Sequence, residues 1–135
     1  VDFFSVISPD KADYKYAPGK WTVKEVFMHK IDTERGFSYR AIVCARLDGK
    51  IPLYPMDEDF YAANADVTDR TIESLVEEFL AVRKAFAFIF TTTSQENLKF
   101  LGNAVDSKIS ARALGFIALG HATHHMNVIT ERYLS

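Results

Sequence analysis

Residues Trp21–Leu47 read WTVKEVFMHKIDTERGFSYRAIVCARL, and this stretch decides the fold. It opens on a capping box: the Thr22 hydroxyl accepts from the backbone N–H of Glu25, the Glu25 carboxylate reaches back to the N–H of Thr22, and Trp21 staples onto Val26. Behind that start, Val23, Val26, Phe27, Ile31, Phe37, Ala41, Ile42 and Ala45 recur at spacings of three and four. The spacing predicts a helix of about 25 residues that ends near Leu47, where Asp48-Gly49-Lys50 and then Pro52 stop it.

Working outward, Asp48 to Thr68 (DGKIPLYPMDEDFYAANADVT) holds two prolines and no sustained period, which predicts a long loop that is both functional and a crossover. A second helix follows, its apolar stripe made by Ile72, Leu75, Val76, Phe79, Val82, Phe86 and Ile89. After an irregular stretch, SQENLKFLGNAVDSKI, Ser110 caps a last helix, ARALGFIALGHATHHMNVITERYL. Upstream, VDFFSVIS reads as the end of a helix, and Ser8-Pro9 starts one further turn. The chain begins at Val1 inside that apolar stretch, so residues upstream are expected. Three strong helices, a truncated first one and no convincing strand predict an all-α bundle forming a single domain over residues 1–135. Connections of about 20 residues are long enough to cross a bundle, so the helix order need not alternate.

Composition narrows the function classes. A chain of 135 residues, 48% hydrophobic and 25% charged, has the make-up of one globular domain, and no apolar run spans a bilayer. A net charge of −2, with basic residues scattered among acids, argues against a nucleic-acid partner. The single cysteine, Cys44, cannot form an intrachain disulfide, and no signal peptide is evident, so a reducing cytoplasm is the expected location.

The chemistry-bearing residues are the histidines. His121, His124 and His125 fall within GHATHHM, and the fourth, His29, lies in the second turn of the capped helix. Positions four apart share a helix face, so His121 and His125 aim at one point while His124 is rotated about 100° away. Such a pair is either a structural or solvated feature or half of a metal site. If the two helices pack face to face, His29 completes a facial three-nitrogen set with positions open for water or substrate. Burying three imidazoles without partners carries a desolvation cost that a shared cation removes. Gly36 and Gly120, both inside helices, leave room nearby.

Asp32, one turn from His29, either orients a ligand from outside the first layer or pairs with Arg35 or Arg40. Glu25 is accounted for by its cap. Cys44, about 22 Å along the helix from His29, reads as a core thiol. Tyr39, Arg40 and Arg46 are expected to support the loop or to pair with neighbouring helices, and the phenylalanines of KAFAFIF to be core.

With those residues in view, the stretch from YKYAPGKWTVKEVFMHK through AVRKA to ISARALGFIALGHATHHMNVITERYL resembles the DinB/YfiT-like superfamily of metal-binding helical bundles. The resemblance runs from Ala12 onward and is most specific at Trp21–His29 and at Gly120–His125. It implies a four-helix bundle with non-alternating helix order, commonly a homodimer, and a divalent metal such as zinc, nickel or iron. Carried over by motif position, the metal ligands are His29, His121 and His125, and His124 is a neighbour. Relatives include transferases that join low-molecular-weight thiols to electrophiles, thiol-dependent isomerases and proteins read as hydrolases. Relatives also have a full first helix; without one, the other three expose apolar surface, for upstream residues or a partner chain to cover.

The resulting expectation is a metal-dependent enzyme that activates a thiol or water on the three-histidine site, of thiol S-transferase or hydrolase type. It would act on a small-molecule substrate, with a low-molecular-weight thiol as a possible cosubstrate, entering beneath the loop of Tyr54, Asp57 and Phe60. The alternatives are a non-catalytic metal- or small-molecule-binding module, and a helical dimerisation domain with incidental histidines.

Overall fold

The computed structural model describes Phe3 and residues 7–135. Most of VDFFSVIS, the stretch read as a helix end, lies outside the described residues. The first turn, α1 (Pro9–Ala12), begins at the expected proline, although the Ser8 side chain makes no capping bond. Then comes α2 (Val23–Ala45), whose capping box forms as read: Thr22 Oγ1 accepts from Glu25 N–H at 3.1 Å, and Glu25 Oε2 accepts from Thr22 N–H at 2.6 Å. The helix ends before Leu47, which takes a left-handed φ of 62°. There the N–H of Leu47 donates to Cys44 O and that of Asp48 to Val43 O, which closes a Schellman turn.

The other long helices are α4 (Ile72–Thr92) and α6 (Ala111–Arg132), capped by Thr71 and Ser110. Two short ones, α3 (Glu58–Asn64) and α5 (Gln95–Leu98), interrupt the connections. The stretch read as one long loop therefore contains a helix, started by Asp57, whose Oδ1 accepts from Phe60 N–H at 3.0 Å. The expectation of no strand is corrected as well. Strands β1 (Leu101–Asn103) and β2 (Lys108–Ser110) pair antiparallel, with Gly102 opposite Ile109. The hairpin sits on the end of α2 because Gly102 carries no side chain. A Cβ there would lie 2.5 Å from Cys44 Sγ. Cys44 is buried, as a core thiol should be, and the N–H of Leu53 donates to Asn103 O at 2.8 Å, fixing the crossover to the same hairpin.

Two apolar clusters show how the long helices run. One joins Val23, Val26, Phe27 and Ile31 of α2 to Ile72, Leu75 and Phe79 of α4 and to Ile129 of α6. The other joins Ala41, Cys44 and Ala45 to Phe86 and Ile89 and to Ala111, Leu114 and Ala118. The start of α2 thus meets the start of α4 and the end of α6. Helices α2 and α4 are parallel, α6 is antiparallel to both, and the chain must cross the bundle's length between α2 and α4. This is the non-alternating all-α order expected from the long connections. Each fully buried Leu, Ile or Phe contributes ~1.5–3 kcal/mol, and Phe27, Ile31, Leu75, Leu114 and Ile129 are all fully buried. Between α4 and α6 runs an apolar groove of about 370 Å³ lined by Phe86, Phe90, Leu98, Phe116 and Leu119.

Among the described residues, no helix is long and apolar enough to cross a membrane.

Candidate metal centre

The face of α2 that meets α6 carries His29, and the facing stretch of α6 carries His121 and His125. His29 is buried by the first apolar cluster and by the Trp21 ring, whose centre lies 4.9 Å from the imidazole. The one-turn spacing of the α6 pair brings their Nε2 atoms to 3.0 Å, and His29 Nε2 lies 3.1 Å from His121 Nε2. One ring nitrogen from each residue falls within 4.8 Å of the other two. His124 is exposed, its ring edge-on to that of His125 with 5.2 Å between centres, and it is not part of the three-nitrogen group.

Hydrogen bonding alone does not satisfy the cluster. An imidazole nitrogen offers one lone pair or one hydrogen along one in-plane direction, yet His121 Nε2 faces two other Nε2 atoms at bonding distance. A cation held by His29, His121 and His125 would accept all three lone pairs. Two nitrogens each about 2.1 Å from a common centre and about 90° apart stand about 3.0 Å from each other, the cis edge of a facial site. The observed 3.0 and 3.1 Å fit that edge. With the lone pairs turned inward, the hydrogen of His29 would sit on Nδ1, which lies 3.5 Å from Thr33 Oγ1, one turn along α2.

Burial favours the neutral form of the rings, the form in which an imidazole can bind a metal. Burial, then the neighbouring His29 and Lys30, lowers the pKa of His121 to about 4. Burial, then His121 and His29, lowers His125 to about 3. His29 is lowered by burial too, with the Asp59 carboxylate opposing.

On the open side stands Glu58, the first residue of α3, with Oε2 3.9 Å from His29 Nε2. It borders a cleft of about 680 Å³ that reaches from His121 along α2, walled by Gly36, Phe37, Arg40, Tyr54 and Tyr61. The more apolar groove between α4 and α6 does not touch the histidines.

A profile of the DinB superfamily matches residues 1–129 of the sequence. The chain belongs to the DinB superfamily. Two solved structures share its fold. YfiT of Bacillus subtilis, described as a probable metal-dependent hydrolase with an unusual four-helix bundle topology, superposes with a TM-score of 0.81 at 21% identity, over 96% of this chain and 75% of YfiT. The DinB-like protein YjoA of the same organism gives 0.62 at 19%, over 96% of this chain and 78% of YjoA. At these identities the likeness is one of fold. No curated protein matches the chain significantly.

In this DinB-superfamily chain the histidines named from sequence come together, while the residues around them are placed differently. Asp32 makes the ion-pair alternative, to Arg35 at 3.7 Å, and its carboxyl pKa is raised by burial. It borders the cleft without bonding a histidine. Of the two roles expected for Arg40 and Arg46, supporting the loop or pairing with neighbouring helices, the ion pairs are not found among the described residues, while Arg40 lines the cleft together with Leu53 and Tyr54 of the crossover. Of the loop residues named for substrate access, Tyr54 lines the cleft, whereas Asp57 caps α3 and Phe60 is exposed against Tyr61. Glu58 and Tyr61 were not anticipated. Their one sequence signal was Asp57 as a helix cap just beyond Pro55.

Proposed function

We propose that this chain is a metal-dependent enzyme of thiol transferase or hydrolase type, with a divalent ion such as zinc, nickel or iron held by His29, His121 and His125. The convergence of three Nε2 atoms that hydrogen bonds cannot satisfy carries the reading. When bound, such an ion supplies positive charge that lowers the pKa of a thiol or water toward neutrality. The chain supplies the rest. Glu58 lies at the open side of the cluster and takes the proton that the nucleophile gives up. Trp21 and Phe37 pack on the rings of His29 and His121 and keep bulk water from the protein side. The cleft holds the electrophile, and a low-molecular-weight thiol serves as cosubstrate in the transferase form. A homodimer is the assembly that goes with this reading.

The test is to express the untagged protein, strip it, reconstitute it with zinc, nickel, iron and manganese, and count metal per chain beside His29→Ala. About one ion per chain is expected, and the variant should lose it. Glu58→Gln should keep the metal and lose about 10²-fold or more in turnover. Equal metal in wild type and His29→Ala rejects the centre; metal without turnover of any thiol or ester leaves a non-catalytic binding module.

A further inference from the structure

The cleft beside the histidines holds a positive charge for which no ion pair is found among the described residues. His29, Thr33, Gly36 and Arg40 follow one another at helical spacing and share one face of α2. Gly36 has open space where a side chain would stand, so nothing from that turn of α2 blocks the way between the two ends of the face. Arg40 lines the cleft at its far end, with Tyr39, Leu53 and Tyr54 beside it.

The other arginine on the cleft, Arg35, is occupied, pairing with Glu78 at 2.7 Å and with Asp32 at 3.7 Å. Arg83, one helix away, is held by Glu34. Arg40 has no such acid among the described residues, and its Nε is buried without a hydrogen-bond acceptor. A desolvated cationic donor left unpaired is costly, and an anion delivered by a ligand removes that cost. The planar guanidinium fork suits a carboxylate or phosphate. Along the axis, Arg40 is roughly 16 Å beyond His29, so a ligand that reaches both Arg40 and the histidine cluster must be elongated, on the order of 10 Å or more.

We propose that Arg40 binds the anionic end, carboxylate or phosphate, of an elongated substrate whose reacting group sits at the three histidines. The proposal rests on the reading of that cluster as the reaction centre, and it adds charge and length to the description of the substrate. Arg40 is a specificity-determining residue here.

Calorimetric titration of the zinc-reconstituted protein with 8-mercaptooctanoate, 8-mercaptooctyl phosphate and the uncharged 8-mercaptooctanol tests it. At least one of the two anions should bind tenfold or more tightly than the alcohol, and which of them binds more tightly identifies the group recognised. Arg40→Met, which keeps the apolar stem, should abolish the preference; Arg40→Lys should restore part of it; both should keep wild-type helicity and zinc content. Equal binding of acid, phosphate and alcohol by the wild type overturns the proposal, as does a preference that survives in Arg40→Met. Repeating the titration on metal-free protein with octanoate and octanol separates the two ideas. If no zinc is retained, the metal reading fails, and the octanoate preference still reports on Arg40.

Discussion

Tyr133, just beyond the last helix, is 2% exposed, and its hydroxyl donates to the carbonyl of Trp21 at 2.7 Å, joining the end of α6 to the start of α2. Burial, then the nearby Tyr16 and Glu25, pushes its phenol pKa up to about 12. The unfolded chain releases that proton near pH 10, about two units earlier. The stability from the neutral buried phenol is therefore complete below about pH 10 and is lost as pH rises through about 12. Urea unfolding should show the wild type losing stability across this window more steeply than Tyr133→Phe. Near pH 8 the substitution should cost about 1 kcal/mol, the net value of one buried hydrogen bond. Parallel curves for the two proteins would place the alkaline loss elsewhere. A tyrosine's partner is invisible in sequence because it lies far along the chain, and Arg40 shows the same limit. Its helical position was legible, but that its Nε is buried without an acceptor is a fact of packing. The histidines were more legible, because a one-turn spacing and an apolar register are local properties that survive into the fold.

Helix α2 was readable at both ends for different reasons. Its start is set by local hydrogen bonds between Thr22 and Glu25, which the residue types announce. At its end the approximate stop was legible but not the conformation of Leu47, whose φ of 62° is one that Cβ-bearing residues rarely take. Leu47 is 51% exposed, so little packing compensates. Leu47→Gly should therefore stabilise the protein by about 0.5–1 kcal/mol, the left-handed penalty less the extra chain entropy of glycine. A thermal or urea melt that is unchanged or lowered would mean that the Leu47 side chain holds the crossover in place. The elements that escaped sequence reading are those without a stripe of their own. Helix α3 buries no residue, so it leaves no apolar period. The three-residue strands depend on Gly102 reaching Cys44 across the fold. Glu58 was missed with α3, since its role depends on where that unpatterned turn comes to rest.

For the molecule as a whole, the parallel run of α2 and α4 and the reversed run of α6 bring the second turn of α2 against the last half of α6. The histidine cluster is thus a cross-link between the first and last long helices, distant in sequence. Glu34 and Arg83 hold α2 to α4 on a neighbouring face, with Glu34 buried beneath the pair. A cation held by both α2 and α6 binds the folded chain and has no preformed site in the unfolded one, so it must raise stability by mass action. At free zinc about a thousand times the dissociation constant the gain is about 4 kcal/mol, which for a domain of this size raises Tm by on the order of 10 °C. Chelation should reverse the shift. His125→Ala should remove it while leaving a cooperative melt, because the half-buried ring contributes less to the core than Phe27 or Ile129. His124→Ala should leave it whole, since that residue is not part of the three-nitrogen group. If zinc raised Tm equally in His125→Ala and the wild type, the bound ion would lie elsewhere on the surface, and the contact between α2 and α6 would have to be explained by apolar packing alone.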